Sequence, residues 1–293
     1  LDDFADATDD VLRQFDGNTG LVDGWAFFER FGLTNLRKNV DALQKLDFLK
    51  AGGLTDSQLK KIARLDDIKA LEIAEYCLKR TPPYTSYVHN LLIHAKNIDR
   101  LIPNFLDKVK YLTSNPKYLN IEDLKDVFSS GFANLNKSSS GGVLTEVDEA
   151  IKVLQQGKQV KLGAKTNLGE ELDVVNVTDN WLMECKNISS KKYSAFNTNL
   201  KRIGEKYSDT QKLREATRKS FEEGGGLKGK LEISNPEHPF YKYDSKAKFA
   251  AELDHVLKDK NVLQSVKDGI LRMNELRIKN GVDEFILIKG VHF

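Results

Sequence analysis

Apolar residues recur at helical spacing through the first half of the chain. One series runs from Leu36 to Leu49 and another from Ile68 to Leu78, with successive members three or four positions apart. The segment from Leu54 to Gln58 offers a helix N-cap. The Thr81-Pro82-Pro83 segment ends the helix that contains Ile68 to Leu78. No strand alternation of comparable strength is present, so residues 1–137 are predicted to form an α-helical region. Further helices are expected over about 84–98, 101–113 and 121–134.

The pattern changes after Asn136–Gly142, a run of small residues that we interpret as a linker. A helix, three strands, helical stretches and a final strand then follow, which predicts an α/β domain over residues 138–293, α+β for the chain as a whole. The triple glycine at 224–226 is expected to break the chain. Predicted helices cover about 143–156, 194–220 and 245–279, and predicted strands cover 158–162, 171–177, 181–186 and 283–289.

Composition excludes several classes of protein. Among 293 residues, 40% hydrophobic, no apolar run reaches the roughly 18–20 residues that a membrane helix needs. Only Cys77 and Cys185 are present, which excludes a disulfide scaffold and a cysteine-rich zinc site. The net charge of +2 means that any phosphate-binding surface must come from local clustering. The chain begins at Leu1 without a readable signal peptide, and we expect it to be a piece of a longer protein.

Three polar residues of a predicted hairpin could share one face of the sheet. Polar residues at 178–180 separate the β-prone runs 171–177 and 181–186. With a two-residue turn, odd positions of the first strand pair with even positions of the second, and side chains alternate between faces. Asp173 would then lie beside Glu184 and Lys186. A three-residue loop would reverse this parity.

Such a face suits phosphodiester hydrolysis. Two neighbouring carboxylates repel each other unless a cation lies between them, and Mg²⁺ or Mn²⁺ favours carboxylate oxygens completed by water and phosphate. Lys186 could orient the attacking water or stabilise the charge that develops on phosphorus. The alternative is a solvated cross-strand ion pair. The apolar and aromatic residues around Glu184 favour a buried, central strand, where charges seldom lie without a use.

These residues resemble the PD-(D/E)XK nucleases, the restriction-endonuclease-like superfamily. Glu184-Cys185-Lys186 is similar to its Glu-x-Lys motif and Asp173 to its upstream Asp, whereas Leu172 stands where the motif has Pro. The resemblance implies an α-β-β-β-α-β core and a metal bound by Asp173 and Glu184. It also implies a carboxylate on the preceding helix, for which Glu146 is favoured and Glu149 is the substitute.

The sequence around these motifs, such as Gly169–Asp173 and Trp181–Asn187, looks like that of the restriction-fold domains at the C-termini of bacterial polymorphic toxins. That resemblance implies a nuclease toxin secreted or delivered from the producing bacterium, acting in the cytoplasm of a competitor cell. It also implies a cognate immunity protein as a partner. The helical region resembles segments found upstream of such toxins.

A basic segment follows the predicted hairpin. Residues 187–220 contain nine lysines and arginines against three acidic residues, so this segment could follow a phosphate backbone. A solvated helix face is the alternative. The candidate nucleic-acid-binding residues are Lys191, Lys192, Lys201, Arg202 and Lys206.

The resulting hypothesis is a metal-dependent endonuclease, and the resemblance implies DNA as its substrate more often than RNA. Three alternatives stay open. The same fold could cleave transfer RNA, a degenerate nuclease fold could bind nucleic acid or protein without catalysis, or the helical region could act as an adaptor.

Overall fold

The computed structural model describes two compact units, Leu1–Pro116 and Lys117–Phe293. The predicted boundary lies about twenty residues later, at 137/138. The described residues are 40–65, 67–80, 86–132, 137–165, 171–207, 226–233, 235–237, 254, 257–261, 264, 267, 271, 287–288 and 291–292.

The described part of the first unit is helical. Helix α2 begins with a capping box, in which the Thr55 side chain accepts from Gln58 N and the Gln58 side chain accepts from Thr55 N at 2.8 Å. Leu43, Leu71 and Leu91 are fully buried, as expected for the apolar faces of amphipathic helices. The helices are α1 Val40–Ala51, α2 Asp56–Ala63, α3 Ile68–Arg80, α4 Ser86–Leu101 and α5 Phe105–Ser114. Across the described residues of the chain, no helix is long and apolar enough to cross a membrane.

The second unit combines helices with a mixed four-stranded sheet, so the chain is α+β with a helical N-terminal part. In the sheet order β1-β2-β3-β4, the first two pairings are antiparallel and β3 pairs with β4 in parallel. A short β5-β6 pair lies near the C-terminus. The elements are a 3₁₀ turn Ile121–Asp123, α6 Leu124–Phe132, α7 Lys137–Gln155, β1 Val160–Lys165, β2 Glu171–Asn176, β3 Trp181–Ile188, α8 Tyr193–Tyr207, β4 Gly226–Ile233, β5 Leu287–Ile288 and β6 Val291–His292.

One predicted segment is corrected, one strand is added, and two predicted segments lie mostly outside the described residues. The interpretation of 136–142 as a linker is wrong from Lys137 onward, because these residues begin α7. Gly141 lies so close to the Asn187 side chain that a Cβ atom would be 3.2 Å from it, so a small residue serves helix packing there. The fourth strand, Gly226–Ile233, was not predicted. Most of the predicted helix at 245–279 and most of the strand at 283–289 lie outside the described residues.

Helices α7 and α8 cover opposite faces of the sheet. Glu149 of α7 contacts Lys230 of β4, which lies beside Cys185 in the parallel register. Lys206 of α8 contacts Glu184, the neighbour of Cys185 in the chain. Because adjacent strand residues point to opposite faces, the two helices lie on different sides.

Gly163 bends β1 at the position opposite Asp173. Leu162 pairs with Val174 and Ala164 with Leu172, but the pair between them is missing from the ladder. Gly163 has φ +56°, and a Cβ atom there would be 2.4 Å from Val127 Cγ2 of α6. This bend lets α6 pack directly against the strand that supports Asp173.

Replacing Gly163 by alanine is therefore expected to lower the free energy of unfolding by about 2 kcal/mol or more, through the left-handed backbone and the overlap with Val127. Urea unfolding followed by circular dichroism measures this. Gly142→Ala in α7 is the matched control, because its Cβ would meet open space. It should be neutral or stabilising. Equal effects of the two substitutions would contradict the bend.

Candidate active site

The hairpin has the predicted parity with a longer turn. Val174 pairs with Met183 and Asn176 with Trp181, so a four-residue turn, 177–180, joins the strands. Asn176 stabilises the turn because its side-chain oxygen accepts from Asp179 N at 2.9 Å. A four-residue turn preserves the pairing parity of a two-residue turn. The continued register places Asp173 across from Glu184.

Asp173, Glu184 and Lys186 form one buried cluster. Asp173 is 8% exposed and Glu184 is 1% exposed. Lys186 Nζ lies 3.1 Å from Asp173 Oδ2 and 3.2 Å from Glu184 Oε1. Cys185 N donates to Asp173 Oδ2 at 2.7 Å, so this carboxylate takes a backbone donor of the neighbouring strand. The backbone thus fixes the position of Asp173, and the charged groups assemble around it.

Lys206 completes the cluster from the α8 side. Its Nζ lies 2.6 Å from both Glu184 oxygens and 3.6 Å from Asp173 Oδ1. In this structure its ammonium contacts the carboxylates, and its predicted contact with nucleic acid stays a prediction. The missed signal is helical spacing. Lys206 lies three residues after Ile203, which is fully buried, and therefore on the inward face of α8.

Glu146 and Glu149 of α7 have different surroundings. Burial raises the pKa of Glu146 well above its usual range, and the nearby charge of Asp173 raises it further. Glu149 is paired with Lys230 at 2.8 Å and Lys152 at 2.7 Å. Burial alone would raise the pKa of Glu149, but these two lysines outweigh it and lower the pKa. Of the two candidates, Glu146 is the one whose pKa responds to the charges of Asp173, Lys186 and Glu184.

The pKa values of the two central carboxyls are shifted in opposite directions. Burial and the negative charge of Asp173 raise the pKa of Glu184 well above its usual range. Burial would also raise the pKa of Asp173, but Lys186, Glu184, Lys206 and the Cys185 N–H together lower it. Asp173 is therefore the anionic partner, and Glu184 holds the proton more tightly. Two carboxylates at this distance need additional positive charge before both can ionise.

The donor set suits a hard divalent cation. Among the described residues, Glu184 Oε2 is buried and accepts no hydrogen bond, since its close contact with Lys206 lacks hydrogen-bond geometry. Carboxylate oxygens of Asp173, Glu184 and Glu146 are the ligands that Mg²⁺ and Mn²⁺ prefer. Within the described ranges, no group of three or more acidic, histidine or cysteine side chains is already arranged to hold a metal ion. Two ammonium groups instead hold the carboxylates.

The remaining basic candidates divide into two groups. Lys192 and Arg202 are exposed, and Lys191 is exposed with a loose ion pair to Glu237 at 3.5 Å. Lys201 lies 3.3 Å from Asp259 and is only half-exposed. The exposed group keeps its predicted access to a phosphate backbone, whereas Lys201 is engaged within the protein.

Strand β4 adds two buried lysines that the sequence analysis missed. Lys228 lies over the Trp181 ring with its Nζ 4.1 Å from the ring centre, and Lys230 is paired with Glu149. Both are 7% exposed. Lysines at alternate positions mark a solvated strand face in most sequences, and here an aromatic ring and a carboxylate compensate their burial.

Comparisons of the chain with protein-family models, curated proteins and solved structures find no match. A proposal about its function therefore rests on the residues of this site.

Proposed function

We propose that this chain is a metal-dependent nuclease that hydrolyses phosphodiester bonds at the Asp173–Glu184–Lys186 cluster. One observation carries the proposal. Two buried carboxylates, one of them with an acceptor oxygen that makes no hydrogen bond, converge on a lysine held 3.1–3.2 Å from both. Together with Glu146, whose pKa responds to the charge of Asp173, three acidic groups stand against two ammonium groups, those of Lys186 and Lys206. The surplus of buried acid has a use if a divalent cation enters the cluster.

Each residue has a distinct task. Asp173 and Glu184 would bind Mg²⁺ or Mn²⁺, with Glu146 completing or supporting the ligand set. When bound, such an ion supplies Lewis acidity toward phosphoryl oxygens and water. Cys185 N holds Asp173 in position through its hydrogen bond of 2.7 Å. The supporting bond fixes the carboxylate before substrate arrives.

Lys186 acts as a charged donor. Burial alone would lower its pKa, but Asp173 and Glu184 outweigh burial and raise the pKa above its usual range. An ammonium in this state cannot accept a proton from water. It can donate hydrogen bonds that orient the attacking water or stabilise the negative charge growing on the phosphoryl oxygens. The exposed Lys191, Lys192 and Arg202 are available to hold the nucleic-acid backbone outside the cluster.

The succession α7-β1-β2-β3-α8-β4 supports a restriction-endonuclease-like core, because it is the element order expected for that fold. Gly226–Ile233 is the fourth strand of the sheet, and Leu287–Ile288 of the predicted strand 283–289 pairs with β6. From the resemblance we further propose a polymorphic-toxin nuclease, delivered into the cytoplasm of a competitor bacterium and neutralised by a cognate immunity protein. DNA is the proposed substrate, with RNA cleavage as the competing outcome of the same chemistry.

The test is a cleavage assay with plasmid DNA and total RNA, each with Mg²⁺, with Mn²⁺ and with a chelator. Wild-type protein should degrade at least one substrate only when a metal is present, and Asp173→Ala and Lys186→Ala should not. The preferred substrate decides between DNase and RNase. Attack by water leaves no 2′,3′-cyclic phosphate on RNA, so such ends would contradict this chemistry. Tight binding of nucleic acid without any cleavage would favour the non-catalytic module instead.

A further inference from the structure

We propose that Lys206 is a built-in substitute for the divalent cation, occupying the Asp173–Glu184 pair in the metal-free protein and leaving it when metal binds. The inference rests on the proposed function of the same site, and it assigns Lys206 the role of a positioning residue that sets metal affinity. The ammonium touches Glu184 at 2.6 Å and Asp173 at 3.6 Å, so it lies where both carboxylates can be reached at once.

The two lysines of the cluster are held differently. Lys186 donates to the Cys185 carbonyl at 3.0 Å in addition to contacting both carboxylates. Its backbone also belongs to β3, two residues from Glu184, so it moves with the strand. Lys206 comes from α8, and within the described part of the chain its hydrogen bond and ion pairs all go to the two carboxylates. A flexible four-carbon stem connects that ammonium to the helix.

Repulsion between a divalent ion and the two ammonium groups favours the departure of one lysine. Like charges at 3–4 Å repel strongly in a site shielded from water, and a divalent ion would meet two ammonium groups at about that distance from its ligands. The lysine with the additional carbonyl partner is the harder one to displace. Lys206 can withdraw along its stem without disturbing the hairpin.

The orientation of Glu184 agrees with such an exchange. Its Oε2 contacts the Lys206 ammonium at 2.6 Å without forming a hydrogen bond. The ammonium donates its hydrogen bond to Oε1 at 2.6 Å, so no directional bond holds it to Oε2. An ion with no directional requirement can replace it at little geometric cost to the carboxylate.

Isothermal titration of Mn²⁺ in the absence of nucleic acid tests this inference. Lys206→Met removes the charge at similar length, and Lys206→Gln removes it but keeps a donor for Glu184, which guards against loss of folding. Both should bind Mn²⁺ about tenfold or more tightly than wild type, since one competing charge is gone. Their melting temperatures should be lower without metal and rise more on Mn²⁺ addition than that of wild type.

Two controls identify the site that is measured. Arg202→Met removes an exposed charge one helical turn earlier on α8 and should leave Mn²⁺ affinity unchanged. Asp173→Asn should abolish the titration signal that belongs to this site. If wild type binds Mn²⁺ and both Lys206 variants bind it with equal or weaker affinity, the inference is overturned and the nuclease proposal stays intact. If no form of the protein binds Mn²⁺, both are overturned.

Discussion

Replacing Asp173 by asparagine is expected to lower metal-dependent cleavage about a thousandfold while the protein keeps its fold. The substitution removes the charge of the anionic member of the carboxyl pair, and loss of a metal ligand is worth several kcal/mol of transition-state stabilisation. Asparagine retains an oxygen that can accept from Cys185 N, whose present bond is 2.7 Å. Single-turnover cleavage at saturating Mg²⁺, with circular dichroism on the same samples, measures both expectations.

Alanine at position 173 separates the structural from the catalytic task. It would leave the buried Cys185 N–H without its acceptor, at a cost of about 1–3 kcal/mol in stability. Asp179→Asn is the matched control for Asp173→Asn, because Asp179 lies in the same hairpin and is paired with Lys158 at 2.5 Å outside the cluster. Full activity of the Asp173→Asn protein would show that Asp173 is not part of the active site.

Replacing Lys186 by methionine is expected to lower the cleavage rate about a hundredfold or more, the loss typical of one charged or hydrogen-bonding group aimed at a transition state. Methionine preserves length and apolar contacts but donates nothing to water or phosphate. Because a positive charge leaves the cluster, Mn²⁺ affinity should stay equal or become tighter. Rate constants at saturating metal therefore isolate the catalytic loss from any change in metal binding.

Lys192→Met controls for the loss of one positive charge near the hairpin. Lys192 is exposed and outside the cluster, so its substitution should weaken binding of nucleic acid only slightly and slightly reduce the salt dependence of that binding. A Lys186→Met protein that cleaves like wild type would reduce Lys186 to an ion-pair partner. A Lys186→Met protein that loses Mn²⁺ binding would assign it to structure instead of chemistry.

Strand periodicity was sufficient to predict the centre of the site. Alternation and pairing parity placed Asp173, Glu184 and Lys186 on one face, and both the four-residue turn and the predicted two-residue turn preserve that parity. Pairing parity depends on a short segment whose turn residues are recognisable, and it could therefore be predicted from the local sequence. The helical N-terminal part was predictable for the same reason, from three- and four-residue spacing and the Thr55 capping box.

Residues brought in from distant segments were harder to predict. Lys206 lies twenty-two positions after Glu184, and only its spacing from Ile203 marks it as inward-facing. Strand β4 was hidden because Gly226 and Gly229 lower strand propensity and Lys228 and Lys230 suggest solvent exposure. Both lysines are buried by partners that the sequence does not place beside them, Trp181 and Glu149.

The run of small residues before the site was wrongly predicted to be a linker for a related reason. Ser and Gly residues at 138–142 favour a linker on propensity alone, yet they form the first turns of α7 because the helix needs close approach to Asn187. The second unit also begins earlier than predicted, at Lys117. Leu119 N donates to Val160 O, and the Asn120 side chain bonds both backbone groups of Leu162 at 2.5 and 3.0 Å.

Anomalous diffraction from wild-type crystals grown with Mn²⁺ tests the central claim most directly. A peak within about 2.5 Å of carboxylate oxygens of both Asp173 and Glu184, with Lys206 withdrawn from them, is the predicted result. Crystals of Asp173→Asn prepared in the same way should lack that peak. Saturating Mn²⁺ with no peak at these carboxylates, and both ammonium groups still bound to them, would contradict the assignment of the cluster as a metal-dependent active site.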